Sequence, residues 1–424
     1  MTVVGLGRFG GGISVTRWLA GQGAKVTVSD HAAPEALAES AEAVADLDVR
    51  LHLGGHLRED FIEADLLVVN PAVPREMPLL SEASAEGVKR TSEMNLFMER
   101  CPARMIGVTG TVGKSTTAAM TAKILSRVRT THLGGNIGIS LLDKLADMSP
   151  DDLVVLELSS FQLEDLPIVG ISPHVAVVTN FSANHLDRHG TITAYADAKK
   201  NIFAFQKSED VLLLNRDCQA MTCWADDAPG RVEWFDPTDA PFELNVPGSH
   251  NQANAQAAWA TCRLFDVDRA TAAAALAAYQ SLPHRLSLVA EMSGVRYYDD
   301  SKCTTPEGAI VAAQSFKAGE VVIIVGGYDK GADFAAMAHA LRRHVKAIIA
   351  IGATKKRIAA AVEDSTGPAI LELADDLPQA LAAARAHTAS GDVVLLSPAC
   401  ASYDMFVNYA QRGRRFTELV LRMG

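Results

Sequence analysis

A glycine-rich loop between an apolar run and a helical pattern constrains the fold of this 424-residue chain most strongly. Residues 105–109 predict a buried strand, residues 110–116 read Gly-Thr-Val-Gly-Lys-Ser-Thr, and residues 115–128 have the pattern of a helix. In such a loop backbone N–H groups bind phosphate oxygens, Lys114 reaches the terminal phosphates, and Ser115 offers a hydroxyl to Mg²⁺. The general pattern GxxxxGK[ST] needs glycine at 108, where valine stands. The loop therefore predicts a phosphate site without identifying the protein.

Composition and charge exclude several classes of protein. Hydrophobic residues make up 48% of the chain and charged residues 21%, which is typical of globular proteins in solution. The formal net charge of −11 argues against a general nucleic-acid binder. No apolar run approaches the ~20 residues of a membrane span. The six cysteines include no close CxxC pair, and the N-terminus does not resemble a signal peptide, so we expect free thiols in a cytoplasmic protein.

Short apolar runs that alternate with helical patterns predict an α/β fold of three domains. We expect residues 1–94 to form a Rossmann-like N-terminal domain, residues 95–281 a central P-loop ATPase-type α/β domain, and residues 282–424 a C-terminal Rossmann-like α/β domain. The predicted strands are residues 2–4, 25–29, 66–69, 88–91, 105–109, 153–157, 174–179, 211–214, 295–299, 321–325, 347–351 and 393–396.

The first segment carries a dinucleotide-type fingerprint. Gly5-Leu6-Gly7-Arg8-Phe9-Gly10 follows the first predicted strand, and Asp30 lies 20 residues beyond Gly10 at the end of the next strand. Such a turn brings backbone N–H groups to a diphosphate, and the acidic side chain accepts a hydrogen bond from a sugar or base edge. NAD(P) and a UDP-sugar both satisfy this geometry. A turn that only packs a helix on a strand satisfies it without a ligand.

Polar residues follow the predicted strands of the central segment. Glu157 ends one strand, His185 follows another, and Lys199 lies on a helical pattern beyond it. Loops at the carboxyl ends of parallel strands are where such sheets bind ligands. A hydroxyl, a carboxylate and an imidazole gathered there suit a divalent cation with phosphates, chiefly Mg²⁺. Taken singly, a strand-end glutamate is usually a surface charge and a lone histidine is usually a core or rim residue. Lys199 alone would be interpreted as an ordinary exposed helix lysine, like its neighbour Lys200.

An ordered set of motifs resembles the Mur ligases of peptidoglycan synthesis over nearly the whole chain. Residues 110–116 are similar to that family's Gly-Thr-Asn-Gly-Lys-Ser-Thr loop, with Val112 in place of asparagine. The other motifs are Glu-Leu-Ser-Ser-Phe-Gln-Leu from 157, Asn-x4-His-x-Asp-Arg from 180, Leu-Pro-His-Arg from 282, Asp-Ser-Lys-x-Thr from 300 and Leu-Ser-Pro-Ala-Cys-Ala-Ser from 396. A chance match to all of them in this order is very improbable.

The resemblance implies an ATP-dependent ligase that turns the carboxylate of UDP-N-acetylmuramoyl-L-alanine into an acyl phosphate and joins it to D-glutamate. We expect ATP and two Mg²⁺ ions, and a monomer with no nucleic-acid or membrane partner. The residues alone would accept either hand of glutamate. Within the family pattern the catalytic residues are Lys114, Glu157, His185 and Lys199, and the metal ligands are Ser115, Glu157, His185 and Lys199 as its carbamate.

The same resemblance assigns binding residues for each substrate. For ATP they are Gly110, Thr111, Gly113, Lys114, Ser115, Thr116, Asn251, Asn254, Arg285 and Asp300. For the UDP-substrate they are Gly7, Arg8, Phe9, Asp30, Asn70, Pro71 and Asn136, with Phe9 placed to stack on uracil. For glutamate they are Thr304, Lys330, Ser402, Tyr403 and Tyr409. Core packing around the last helix is an alternative interpretation of Tyr403 and Tyr409.

Three other functions remain open at this point. One is a different amide ligase of the same superfamily, such as folylpolyglutamate synthase or a Mur ligase that adds another residue. The second is an NAD(P)-dependent oxidoreductase that uses Gly5 to Gly10, which leaves the Lys114 loop without a task. The third is a noncatalytic UDP-sugar sensor, which would bind its ligand without releasing ADP.

Overall fold

A computed structural model of the chain describes residues 1–8, 10–138 and 140–423, which build helices around three β-sheets. The chain divides into two compact units. The first comprises residues 1–242 and 253–276 and contains two sheets, and the second comprises residues 243–252 and 277–424 and contains the third. The predicted α/β fold class is confirmed. The domain boundaries at 94/95 and 281/282 stay a prediction.

The first sheet is parallel and has the strand order β3-β2-β1-β4-β5. Its strands are β1 Thr2–Val4, β2 Val26–Asp30, β3 Val49–Leu53, β4 Leu66–Val69 and β5 Lys89–Thr91. Its helices are α1 Gly11–Gly21, α2 Ala38–Glu42, α3 Glu59–Ile62, α4 Pro78–Ala85 and α5 Glu93–Arg100, with a 3₁₀ turn at Pro34–Leu37. Because β1 pairs with both β2 and β4, the strand order reverses beside it, which is where doubly wound sheets bind ligands.

The second sheet is also parallel, in the order β11-β10-β9-β6-β8-β7. Its strands are β6 Arg104–Thr109, β7 Thr131–Gly135, β8 Leu153–Glu157, β9 Val175–Val178, β10 Val211–Asn215 and β11 Arg231–Phe235. Its helices are α6 Lys114–Leu125, α7 Ser160–Leu163, α8 Leu166–Val169, α9 Leu186–His189, α10 Ile192–Lys200, α11 Ala220–Asp226, α12 Ser249–Arg263 and α13 Arg269–Ala277, with a 3₁₀ turn at Leu142–Asp147. The central position of β6 places the glycine loop that follows it in the middle of the ligand-binding edge.

The third sheet is mixed, in the order β12-β13-β17-β14-β15-β16, and its β12–β13 pair is antiparallel. Its strands are β12 Ser287–Met292, β13 Val295–Asp299, β14 Val321–Gly326, β15 Ala347–Ile351, β16 Ile370–Leu373 and β17 Val393–Leu396. Its helices are α14 Pro306–Ala313, α15 Ala335–His344, α16 Lys355–Glu363, α17 Leu377–Ala386 and α18 Tyr409–Leu421. The last helix begins at Tyr409 because the Asn408 side chain accepts the N–H of Gln411 as an N-cap.

The cores explain why the predicted strands were easy to find. In β14 alternate residues serve opposite faces, since Ile323 lies in one buried cluster and Val322 and Ile324 lie in the other. Strands covered on both faces have continuous apolar runs in the sequence. In the first unit a single cluster extends from Val3 and Val15 to Val154 and Ala176, so the first and second sheets share buried apolar contacts.

No described helix is long and apolar enough to cross a bilayer. The six cysteines are free thiols.

Gly12 sets the close approach of α1 to the turn after β1. A Cβ atom at this position would lie 2.2 Å from the carbonyl oxygen of Leu6 and 2.6 Å from that of Gly5. Both atoms are backbone, so neither can move without displacing the strand. Gly12 lies outside the Gly5–Gly10 fingerprint, yet it allows the close helix–strand packing that the last glycine of such fingerprints usually provides.

We predict that Gly12→Ala lowers the free energy of unfolding of the first unit by about 2–3 kcal/mol, because the added methyl group overlaps backbone atoms. Gly21→Ala is the matched control, since Gly21 ends the same helix and a Cβ atom there meets nothing within 4 Å. Chemical denaturation followed by circular dichroism measures both. Equal stability of the two variants would contradict this account of the packing.

Candidate active site

The phosphate loop has the predicted strand–loop–helix geometry. It follows β6 and enters α6 at Lys114, with Gly113 as the N-cap in the left-handed region at φ 83°. A Cβ atom on Gly113 would lie 2.3 Å from Asn254 Oδ1, so this position requires glycine for space as well as for φ. The same Asn254 oxygen accepts the Thr117 hydroxyl at 3.2 Å. Asn254, which the sequence assigned to the ATP site, therefore contacts the loop directly.

Asn180 holds the backbone of the loop from the neighbouring strand end. Its Oδ1 accepts the N–H of Thr111 at 3.1 Å and that of Val112 at 2.9 Å, and its Nδ2 donates to the Val112 carbonyl at 2.9 Å. Lys114 Nζ donates to the Thr111 carbonyl at 2.9 Å. The Val112 side chain is 64% exposed. The departure from the family loop therefore replaces a solvent-facing group and leaves the backbone bonds of the loop in place.

Glu157 ends β8 as a buried carboxylate with one satisfied oxygen. Its Oε1 accepts Asn136 Nδ2 at 2.9 Å, whereas no group among the described residues donates to the buried Oε2. A buried carboxylate oxygen without a donor is costly, and a bound cation is a common way to satisfy it. The donor set at this position therefore fits a hard divalent cation.

His185 lies at the start of α9 in the left-handed region, at φ 52°. Its ring packs edge-on against Phe161, with centroids 5.1 Å apart. Burial, followed by the positive charge of Lys114, lowers the pKa of His185 below its ordinary value. The imidazole is therefore kept neutral, which is the state that ligates metals. Ser115, the predicted metal ligand in the first turn of α6, is buried.

Lys199 is the most unusual charged side chain of the site. It is 1% exposed, its Nζ donates to the Gly110 carbonyl at 2.8 Å, and the same atom lies 4.7 Å from the centre of the Tyr195 ring. Burial, with a smaller contribution from Lys114, lowers the pKa of Lys199 from 10.5 to about 6. At neutral pH the group is mainly a free amine with a nucleophilic lone pair. The neighbouring Lys200 is partly exposed and pairs with Asp227 at 2.6 Å.

Histidine, cysteine and carboxylate side chains alone do not form a metal site among the described residues. Within the described residues there is no group of three or more His, Cys, Asp or Glu side chains arranged to hold an ion. The predicted set of Ser115, Glu157, His185 and Lys199 contains two such residues, so it also requires the Ser115 hydroxyl and the carbamate that is predicted on Lys199. The metal roles of these four residues stay a prediction.

A cavity of about 250 Å³ lies in the first unit between the glycine turn after β1 and the loop after β7. Asn70, Pro71 and Asn136, which the sequence assigned to the UDP-substrate, line it. The cavity also has polar walls that the sequence did not single out, namely Glu93, Ser140, Ser159 and Gln162. The Glu93 carboxyl accepts the Ser140 hydroxyl at 2.6 Å, and burial raises its pKa. Glu93 has no motif signal, whereas Ser159 and Gln162 lie in the Glu157 motif.

The Asp30 carboxylate accepts hydrogen bonds from two backbone N–H groups in the structure. Its Oδ2 accepts the N–H of Gly7 at 3.0 Å, and its Oδ1 accepts that of Ala32 at 2.8 Å. The Asp30 carboxylate thus bonds to the backbone of the glycine turn itself. The sequence predicts a different role, in which this carboxylate accepts a hydrogen bond from a bound ligand. Arg8 is exposed at the same turn, and Phe9 lies outside the described residues.

In the second unit the predicted residues gather at the carboxyl ends of β13, β14 and β17. Asp300 is buried, accepts the Ser397 hydroxyl at 2.7 Å and the Leu286 N–H at 3.2 Å, and has a pKa raised by burial to about 7. Asn251 is also buried and donates to the Pro247 carbonyl at 2.6 Å. These contacts give Asp300 and Asn251 structural partners within their own unit. Their roles towards ATP, and that of Arg285, stay predictions.

The residues assigned to glutamate form an aromatic and cationic rim. Tyr403 is 52% exposed, which rules out the alternative that it packs in the core. Lys330 Nζ lies 5.9 Å from the centre of its ring, and Lys302 Nζ lies 5.5 Å from that of Tyr409. Thr304 is exposed and Ser402 is buried on the neighbouring loops.

No sequence motif singles out Arg412, although this residue connects the loops that carry the rim. It is fully buried on α18 and donates to the Ser301 hydroxyl at 2.9 Å, the Ser301 carbonyl at 2.8 Å and the Cys400 carbonyl at 3.0 Å. It therefore ties the loop after β13 to the loop after β17. Nothing in a single sequence separates it from the two other arginines of α18, Arg414 and Arg415.

Comparison with known proteins gives matches along the whole chain. Residues 1–92 match the family model "Mur ligase MurD-like, N-terminal domain", residues 108–236 match "Mur ligase middle domain", and residues 284–400 match "Mur ligase, glutamate ligase domain". Two curated relatives named UDP-N-acetylmuramoylalanine–D-glutamate ligase come from Symbiobacterium thermophilum and Geotalea uraniireducens. They are 37% and 39% identical to this chain, with 99% of the chain and 97% and 96% of the relatives covered.

Solved structures share the fold at lower identity. The UDP-N-acetylmuramate-alanine ligase of Thermotoga maritima aligns with a TM-score of 0.66 at 19% identity, covering 100% of this chain and 99% of its own. A pseudomurein peptide ligase type C of Methanothermus fervidus aligns with a TM-score of 0.59 at 16% identity, covering 100% and 99%. The oxidoreductase alternative finds no support among these relatives.

We predict that Lys199→Met weakens the pH dependence of unfolding. Because the pKa of Lys199 in the folded protein is lowered to about 6, the unfolded chain binds more protons between about pH 6 and 10.5, and stability rises with pH across that window. Relative to the variant, the wild type should gain stability with a slope of up to about 1.4 kcal/mol per pH unit.

Urea denaturation in CO₂-free buffers between pH 6.5 and 9 measures this slope. Lys200→Met, which removes the partly exposed neighbour, is the matched control and should retain the wild-type dependence. Identical slopes in the wild type and Lys199→Met would show that the buried amine does not titrate as described.

Proposed function

The chain belongs to the Mur ligase family, and from this premise we propose that it joins D-glutamate to UDP-N-acetylmuramoyl-L-alanine while ATP is converted to ADP and phosphate. The relatives that bear this activity in their names extend over almost the full length of the chain. Within the site, the observation that carries the proposal is the buried amine of Lys199 against the phosphate loop, at Gly110. An ordinary lysine keeps its ammonium group in water, whereas burial favours the neutral amine of Lys199, which is the form that can react to become a carbamate.

We propose that the triphosphate of ATP lies on the loop between β6 and α6. The backbone N–H groups and the start of α6 supply donors and a positive dipole end, and Lys114 supplies a mobile charge. Asn180 occupies two of the loop N–H groups and would keep the loop in its binding conformation. The proposed ATP residues are Gly110, Thr111, Gly113, Lys114, Ser115, Thr116, Asn251, Asn254, Arg285 and Asp300.

Mg²⁺ fits the residues beside this loop. The unsatisfied Oε2 of Glu157, the neutral imidazole of His185, the Ser115 hydroxyl and a carbamate on Lys199 form the proposed ligand set for two ions. When bound, such ions neutralise the charge that develops on a transferring phosphoryl group. The protein itself contributes a buried setting in which that charge is poorly screened.

The lowered pKa of Lys199 supports its proposed carbamylation. The free amine attacks the carbon of CO₂, an N–C bond forms, and one proton passes from nitrogen to water. The product carries one negative charge in place of a neutral amine. Because the pKa is about 6, the reactive amine dominates at neutral pH, unlike that of an ordinary lysine.

We propose that the UDP-substrate occupies the 250 Å³ cavity and the glycine turn beside it. Asn136 would contact the muramoyl end, because the same amide bonds Glu157 and so lies next to the proposed reaction centre. The turn at Gly7 would take the diphosphate, with Arg8 as the nearby cation. Asn70 and Pro71, with Phe9 and Asp30, complete the proposed nucleotide end.

The rim of the second unit is the proposed glutamate site. A dicarboxylic amino acid needs cations and hydroxyl donors, which Lys330, Ser402, Thr304, Tyr403 and Tyr409 supply. The aromatic rings beside Lys330 and Lys302 restrict where these flexible cations can point.

The proposed reaction has two steps. A carboxylate oxygen of the alanyl group attacks the γ-phosphorus of ATP, the bond to the β–γ bridging oxygen breaks, and ADP leaves. The glutamate amine then attacks the acyl carbon, and phosphate leaves from the tetrahedral intermediate as the amide forms and the amine loses its proton. Phosphate is a far better leaving group than hydroxide, which is why the carboxylate has to be phosphorylated. ATP and UDP-linked precursors are cytoplasmic compounds, so we propose that the enzyme acts there, as a monomer.

Release of ADP tests the proposal directly. Purified protein with Mg²⁺, ATP and UDP-N-acetylmuramoyl-L-alanine should release ADP rapidly with D-glutamate and at least about 100-fold more slowly with L-glutamate or D-alanine. A coupled ADP assay with mass spectrometry of the product measures both. Equal rates with every amino acid, or binding without any ADP release, would contradict the proposal.

We predict that Lys114→Ala lowers kcat by at least about 100-fold, because the γ-phosphoryl charge loses its mobile cation, while the Kd of the UDP-substrate stays within about twofold. Lys123→Ala, on the last turn of the same helix, is the matched control. Steady-state kinetics and calorimetry with the UDP-substrate give the two quantities. Full activity of Lys114→Ala would remove the loop from the reaction.

A further inference from the structure

A cluster of charges connects the loops of the first and second sheets, outside the residues assigned to any substrate. Arg75 lies in the segment after β4, and Glu164 and Asp165 lie between α7 and α8. Arg75 Nε donates to Glu164 Oε2 at 2.7 Å, and its Nη2 donates to Asp165 Oδ1 at 2.6 Å. One guanidinium thus binds two carboxylates that are far away in sequence, with little freedom to reorient.

A second arginine makes the connection from the opposite direction. Arg188 lies on α9 and donates through both terminal nitrogens to the Val73 carbonyl, each at 3.2 Å, and to the Pro71 carbonyl at 3.4 Å. Its Nη2 also lies 3.8 Å from Glu164 Oε2. Its guanidinium packs over the Phe161 ring at 5.3 Å, which restricts its orientation further.

These charges are partly withdrawn from solvent. The side chains of Arg75, Glu164 and Asp165 are 29%, 18% and 13% exposed. The Arg58–Glu82 pair of the same sheet has an equally short contact of 2.7 Å, but its side chains are 51% and 44% exposed. Solvent and salt screen the Arg58 pair far more, so the two pairs have matched chemistry and unequal expected importance.

The cluster joins two parts of the proposed active site. The segment from Asn70 to Arg75 begins with Asn70 and Pro71, which line the 250 Å³ cavity. The helix that carries Arg188 begins immediately after its N-cap residue, His185, the proposed metal ligand. Arg188 is therefore bonded to the segment that lines the cavity and lies three residues after the proposed metal ligand.

We propose that Arg75, Glu164, Asp165 and Arg188 form a clamp that holds the wall of the UDP-substrate cavity in register with the His185 loop. The inference rests on the proposed function, which supplies the substrate and the reaction centre. The four residues act through Asn70, Pro71 and His185 and are positioning residues. The phosphate loop has its own supports in Asn180 and Asn254, so ATP binding should not depend on the clamp.

A double-mutant cycle on the best-defined pair tests the clamp. Arg75→Ala and Glu164→Gln should each raise the KM for the UDP-substrate about tenfold, with the KM for ATP within about twofold of wild type. The double variant should cost less than the sum of the two single variants, because the Arg75–Glu164 contact is lost in both. Arg75→Lys, which keeps the charge but loses the forked contact, should fall between wild type and Arg75→Ala. Arg58→Ala is the matched control and should leave every constant within about twofold.

Hydrogen exchange of the ligand-free proteins separates the clamp from the proposed function. The N–H of Val73 and those of Arg188 and His189 bond to backbone carbonyls, so we expect their exchange to be slow enough to follow. Exchange at residues 70–75 and 186–190 should accelerate in Arg75→Ala and remain unchanged in Arg58→Ala. Unchanged exchange, an unchanged KM for the UDP-substrate, or an equal rise in the KM for ATP would overturn the clamp. A wild-type protein without ligase activity would overturn the proposed function, and the exchange result would still decide whether the clamp exists.

Discussion

The hydrogen bond from the buried Lys199 amine to the Gly110 carbonyl is the contact on which the rest of the site depends. It places a side chain that would normally be charged behind a loop built to hold anions. A protonated lysine there would be poorly solvated, and the lowered pKa reflects this. The neutral amine can remain buried. Its proposed conversion to a carbamate would place a negative charge at this position. A carbamate beside Glu157 would place two negative groups together, and the proposed Mg²⁺ would bind both of them, including the Glu157 oxygen that has no donor among the described residues.

The fold was predictable where strands are covered on both faces. Strands β6, β8, β14, β15 and β17 are buried along their length, apart from the first residue of β6, and their apolar runs were found in the sequence. The strands that were missed, β3, β7, β11, β12 and β16, all lie at sheet edges. In β16, for example, no residue is fully buried. An edge strand needs few apolar side chains, because its stability comes from backbone pairing to a neighbour that local sequence does not reveal.

The candidate site shows the same difference between residues that local sequence reveals and residues whose role depends on the folded chain. Motif residues such as Glu157, His185 and Lys199 were found because their order resembles that of a known family, and the relatives confirm that family. The supports were not found. Asn180 lies in the Asn-x4-His-x-Asp-Arg motif, but its three side-chain bonds to the loop backbone depend on the order of β6 and β9 in the sheet. Arg75 and Arg412 bind groups 90 and 111 residues away, and such contacts exist only after the chain has folded. The sequence therefore predicts the groups now proposed to react, whereas the residues that hold them are visible only in the structure.

The most direct test of the account follows the carboxylate oxygens during the reaction. UDP-N-acetylmuramoyl-L-alanine labelled with ¹⁸O in its alanyl carboxylate is incubated with the protein, Mg²⁺, ATP and D-glutamate, and the inorganic phosphate is analysed by mass spectrometry. Phosphorylation of the carboxylate predicts one ¹⁸O atom in each phosphate released. Product formation with unlabelled phosphate would show that no acyl phosphate forms, and the proposed chemistry of this site would be wrong.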